Sequence, residues 1–229
     1  MPFRKLSLMI LLFVFNQPNS NAQCDLKFRI RYQGNDLKLD SVYRNLHGED
    51  SEINVFRFYI SSIGFLFADG STFNEPNSYH LIESSEPTSQ HLKITDAPSG
   101  IIKTVFFNLG IDSLTNVSGA MGGDLDPTKG MYWTWQNGYI NCKLEGKNKR
   151  CLNPKHEFQY HLGGYQFPFA SLQKIALACN QSNRIIIDID LEEFMRTIDF
   201  EKNAEVASPD VIAVEFSEKL AQSFTVKLK

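Results

Sequence analysis

The chain lacks the short signatures of the common enzyme classes. A G-x-S-x-G nucleophile elbow, a phosphate loop, a G-x-G-x-x-G turn and an H-E-x-x-H zinc helix are all missing. None of the four cysteines forms a C-x-x-C pair, which argues against a cysteine zinc site. No run approaches the roughly 18 apolar residues of a membrane-spanning helix. Charge is nearly balanced, with 23 basic and 26 acidic residues and a net charge of −3. A mildly acidic chain is a poor match for nucleic acid or an anionic membrane. Helical periodicity is scarce, and there is no internal repeat or low-complexity linker.

The opening residues form an export signal. Arg4 and Lys5 supply the charged start and Leu6 to Phe15 the apolar stretch, and Ser20 and Ala22 are the small residues before a cleavage site. Cleavage before Gln23 removes residues 1–22 and shifts the charge to −5, from 21 basic and 26 acidic residues. Gln23 fits poorly as the residue before a lipid-bearing Cys24. The expected product is therefore a free periplasmic or secreted protein, residues 23–229, with no membrane span.

An aromatic content of 12 %, mostly Phe, argues against disorder. Strand patterns dominate. Leu26, Phe28, Ile30 and Tyr32 alternate with basic residues, and Ile185, Ile187 and Ile189 alternate with partners that include Asp188 and Asp190. Further strands are expected at Ile53–Ser61, Ile63–Ala68, Tyr79–Glu83, His91–Ile94, Ile101–Leu109, Tyr139–Leu144, Glu157–His161 and Leu172–Ala178. Two helices are expected, at Leu191–Thr197 and Val214–Phe224. The fold class is all-β: a single antiparallel β-sandwich with long loops and a short helix near the C-terminus.

Exported cysteines favour disulfides. Of the three pairings that Cys24, Cys142, Cys151 and Cys179 allow, Cys142–Cys151 with Cys24–Cys179 is preferred. Asp124, Asp126 and Thr128 alternate as in a calcium loop, but no bidentate Glu follows, so turn capping is preferred. Asp112-Ser113 is read as a capped turn rather than a triad fragment. His47, His91 and His156 adjoin polar turns and are expected to be solvated. His80 and His161 sit in strands and could be structural residues or metal ligands. Trp133 and Trp135 flank Thr134 in a long glycine-rich loop, residues 110–138. An extended segment would point both rings to the same side.

Five segments, two of them in this loop, carry a resemblance. Phe58-Tyr59-Ile60-Ser61, Tyr79-His80-Leu81-Ile82, Gly110 to Ser113, Gly123 to Tyr139 and His161 to Gly164 occur in an order similar to the MbnP-like copper-binding domain family. Ile111 stands where the family pattern has Val. The resemblance covers about residues 26 to 225. It implies an exported β-rich protein that is not an enzyme and that holds copper through histidines and a tryptophan oxidised to kynurenine. It also implies a di-haem peroxidase as the oxidising partner. By motif, Trp133 matches the modified tryptophan and His161 a ligand. Some relatives carry a ligand histidine where this chain has Trp135, and His80 is the candidate for the missing imidazole. The expected metal set is therefore His161, His80 and Trp133. A sandwich that presents its aromatic loop to a sugar or protein, without metal, is the alternative.

Overall fold

The computed structural model describes residues 21–45 and 48–227, with side chains from residue 23. The expected signal peptide and His47 lie outside these residues, apart from the backbone of Asn21 and Ala22.

The alternating stretches become strands. In chain order these are β1 (Asn21–Tyr32), β2 (Asn35–Asp36), β3 (Val42–Arg44), β4 (Asp50–Phe67), β5 (Thr72–Asn74), β6 (Tyr79–Glu83), β7 (His91–Pro98) and β8 (Ile102–Leu109). After the glycine-rich loop come β9 (Tyr132–Trp133), β10 (Gly138–Asn148), β11 (Glu157–Gly163), β12 (Gln173–Gln181), β13 (Arg184–Asp190), β14 (Glu205–Val206) and β15 (Phe224–Val226). The helices are α1 (Ser113–Val117), α2 (Leu191–Arg196) and α3 (Val211–Ala221). Helix α3 starts earlier than the periodicity predicts because the Asp210 side chain accepts from the Ala213 N–H at 2.7 Å and caps it.

Two sheets form. The smaller runs β15-β13-β1-β2, with β7 also on β1. The larger runs β12-β8-β4-β10-β11-β14, with β3, β5 and β6 on β4 and β9 on β10. Pairing is mostly antiparallel, but β1 runs parallel to β13 and β11 to β14. The two strands expected at Ile53–Ser61 and Ile63–Ala68 are one continuous β4. Ser62 takes φ 54° and the register against β8 shifts between Ser61 and Gly64, so a bulge absorbs the break in alternation.

The facing sides bury one apolar core. Leu26, Phe28, Ile30, Ile185, Ile187 and Ile189 of the small sheet meet Phe56, Phe58, Val105, Phe107, Leu144 and Leu162 of the large one. Phe28 packs edge-on against Phe58 and Phe107, with ring centroids 6.3 and 5.7 Å apart, a favoured aromatic geometry. Phe216 of α3 meets Tyr160 of β11 edge-on at 5.2 Å and covers the end of the core.

The preferred disulfide Cys142–Cys151 requires correction. Cys142 pairs with Phe58 in mid-strand, whereas the Cys151 N–H donates to the Asn148 carbonyl beyond the end of β10. Six residues of strand separate Cys142 from Asn148, roughly 20 Å at strand rise, and a disulfide needs α-carbons within about 7 Å. The expected Cys24–Cys179 bond is not formed either: all four cysteines are buried free thiols. Cys24 and Cys179 are neighbours. The Cys24 thiol is pushed up to about 12 by burial, then by the charges of Asp25 and Cys179.

Candidate functional site

The outer face of the large sheet carries a second apolar cluster, formed by Tyr59, Leu81, Ile111, Leu125, Met131, Trp133, Tyr139 and Ile140. Strand alternation turns Tyr59 and Leu81 away from the main core, and the loop over residues 110–138 covers them.

Local hydrogen bonds hold the loop in place. The Ile111 N–H donates to the Asn141 side chain at 2.9 Å. Asp112 caps α1 by accepting from the Thr115 N–H, which settles the GIDS segment as a turn. The Asn116 amide donates to the Ile111 and Asp112 carbonyls and accepts from the Tyr139 N–H. The two aspartates considered for calcium are engaged elsewhere. Asp124 accepts from the Leu81 N–H and from Lys129, and Asp126 accepts from the Thr128 N–H and hydroxyl.

The two tryptophans have different environments. Trp133 lies in β9, opposite Gly138, and is buried. Trp135 is 66 % exposed. The chain turns over residues 134–137, so the extended geometry expected through Thr134 is replaced by a turn. The rings still touch, with centroids 5.7 Å apart.

The Trp133 ring occupies the space that a side chain on residue 163 would fill. A β-carbon on Gly163 would lie 2.5 Å from Cζ3 and 2.8 Å from Cη2 of Trp133. Gly163 and His161 are two residues apart on β11 and so face the same side, about 7 Å apart along the strand. The first glycine of the His161-Leu162-Gly163-Gly164 motif thus makes room for the indole on the face of β11 that bears the histidine.

The His161 Nε2 lies 2.6 Å from Oε1 of Glu145 on the adjacent strand. An ionised carboxylate only accepts, so Nε2 carries the proton and Nδ1 of a neutral ring keeps the lone pair. A carboxylate holding the far nitrogen is the usual support for a metal-ligating imidazole. Directly across from His161 is Lys143, whose Nζ donates to the Gly130 carbonyl at 2.7 Å and whose pKa burial lowers. The row continues through Arg57 to Glu83, which pair at 2.9 Å.

His80 is set apart from the other two residues. It pairs with Ile60, a core-facing residue, and so points to the opposite face from Leu81 and His161. Its Nε2 lies 2.7 Å from Glu75. From β6 to β11 is three strand steps, roughly 14 Å, well beyond the reach of a shared ion. The expected convergence of His161, His80 and Trp133 is corrected: His80 lies apart on the opposite face, while His161 and the Trp133 ring share the outer face of the large sheet. Among the described residues no three His, Cys, Asp or Glu side chains gather as a metal site. Glu145 was not foreseen. Its clue was the alternation of Lys143 and Glu145, but only the β10–β11 register brings it to His161.

A model of the MbnP family matches residues 21–212. The chain belongs to the MbnP family. MbnP from Methylosinus trichosporium is a similar solved structure, with 14 % identity, coverage of 85 % of this chain and 87 % of that one, and a TM-score of 0.58. That degree of likeness to a fellow MbnP protein shows a common fold. No curated protein sequence matches the chain. No helix among the described residues of this MbnP-family chain is long and apolar enough to cross a membrane.

Proposed function

We propose that this MbnP-family chain is an exported protein that captures or hands over copper, held as Cu(I) by His161 and an oxidised Trp133. It works in the periplasm or outside the cell after the leader is removed, and its chemical partner is a di-haem peroxidase that converts Trp133 to kynurenine.

The observation that carries this reading is the seating of the Trp133 ring over Gly163, on the face of β11 that bears His161. An intact indole offers only an N–H donor and no useful lone pair. Unmodified, the pair has one imidazole nitrogen. Kynurenine would add an aniline nitrogen, and two nitrogen donors suit copper. Glu145 would fix the imidazole in the tautomer that leaves Nδ1 free to bind. An imidazole nitrogen and an aniline nitrogen are donors of a type that copper accepts.

The test is metal analysis with intact-mass measurement on protein purified from its native host. The expected result is bound copper together with a mass gain that peptide mapping assigns to Trp133. Copper-free protein with both tryptophans intact would refute the proposal.

A further inference from the structure

Beside the loop is an open cleft of about 540 Å³, lined by Asn116, Val117, Tyr132, Thr134, Tyr165 and Gln166, with Asn137 at its edge. Small-molecule sites typically occupy about 300–1,000 Å³. The Tyr165 ring lies on Gly138, where a β-carbon would approach within 3.1 Å, so an absent side chain seats the ring. The Tyr132 ring is braced edge-on by Tyr139, with centroids 4.9 Å apart. Trp135, largely exposed, follows Thr134 at the rim.

Two features identify the kind of occupant. The three segments around the cleft, residues 113–123, 130–142 and 162–173, contain no Asp, Glu, Lys, Arg or His, although 21 % of the chain is Asp, Glu, Lys or Arg. No charged group is there to recognise a phosphate, a carboxylate or an amine. The side chains of Tyr132, Thr134, Asn137, Tyr165 and Gln166 also make no hydrogen bond with any described residue. Two hydroxyls on braced rings, one aliphatic hydroxyl and two amides therefore meet solvent around one cavity. Flat apolar faces bordered by neutral donors and acceptors complement a pyranose, which has C–H faces and an edge of hydroxyls.

We infer that this cleft binds a neutral saccharide. His161 is not among the residues that line the cleft. A protein docking here would rely on exposed aliphatic residues, Val117 in the cleft and Leu114 outside it, and would leave the five polar groups unused.

The test is isothermal titration calorimetry of the mature chain with cellohexaose, maltohexaose, xylohexaose, laminarihexaose and chitohexaose. At least one should bind with a Kd of about 1 mM or tighter. Tyr165→Phe keeps the ring on Gly138 and removes only its hydroxyl, and Gln166→Ala alters an exposed side chain. Each should weaken binding roughly five- to tenfold, with circular dichroism unchanged. His161→Ala should leave binding intact. Flat titrations to about 10 mM with all five sugars would overturn the inference. So would undiminished binding in both cleft variants. Binding confined to a glycoprotein and retained after its glycans are removed would also overturn it, and would assign the surface to a protein.

Discussion

Gly163→Ala tests the geometry on which the site depends. The added β-carbon would lie 2.5 and 2.8 Å from Trp133 ring atoms and 2.9 Å from the Tyr139 carbonyl oxygen. Carbon–carbon contacts favour about 3.5–4.0 Å, so the ring must retreat by roughly 1 Å or the strand must bend. Overpacking of this kind costs about 1–3 kcal/mol. Replacing a strand glycine returns roughly 0.5–1 kcal/mol of backbone entropy. The net loss should be about 0–2.5 kcal/mol, or a fall in Tm of up to roughly 10 °C at this chain length. Denaturant unfolding with Trp135→Phe as background measures both stability and the Trp133 emission. Gly163→Ala should shift the emission to the red. In a Trp133→Ala background only the 2.9 Å approach to the Tyr139 carbonyl oxygen remains, so the same change should cost clearly less, a coupling of about 1–3 kcal/mol. A stable Gly163→Ala protein with unshifted emission and no coupling would show that the indole does not occupy that space.

Other expectations follow from the same structure. Glu145→Gln should leave the fold intact but weaken Cu(I) binding by roughly 10-fold or more, as supporting partners of ligand histidines do; competition titration measures it. Asp112→Ala should cost about 1 kcal/mol through loss of the α1 cap and speed amide exchange between residues 113 and 119. Burial pushes the Glu75 pKa up, but hydrogen bonds from His80 and Ser78 outweigh it and hold it below its ordinary 4.5. Its stabilising contribution should be present above pH 4.5 and lost as pH falls through the depressed value; a pH series of unfolding curves should show this component, and His80→Ala should remove it. Non-reducing peptide mapping of exported protein should find Cys142 and Cys151 unlinked to each other, because six residues of strand separate Cys142 from the turn that carries Cys151.

Period-two alternation made most strands legible, and Tyr79–Glu83 and Arg184–Asp190 match in full. Their partners were not legible. The parallel pairing of β1 with β13 joins residues at opposite ends of the chain, and nothing local encodes it. The two halves of β4 read as separate strands because Ser62 interrupts the alternation, whereas a bulge keeps the strand continuous. At the site, His161 and Trp133 could be singled out from their motifs, but the seating of the indole on the face of β11 that bears His161 depends on Gly163, whose role is to have no side chain. His80 was misplaced for a related reason. Its alternation with Leu81 was visible, but not which face of β6 the loop would cover. Glu145 needed the β10–β11 register, and the contrast between Trp133 and Trp135 needed the turn over residues 134–137. The pairing Cys142–Cys151 was inferred from a short sequence separation, which a continuing strand turns into a long distance.

The central claim is that His161 and a modified Trp133 hold copper while His80 does not. Competition titration of Cu(I) tests it most directly, on wild type, Trp133→Phe, His161→Ala and His80→Ala purified from the native host. Wild type and His80→Ala should bind tightly, and Trp133→Phe and His161→Ala weakly. Trp133→Phe protein that binds Cu(I) as tightly as wild type would contradict it.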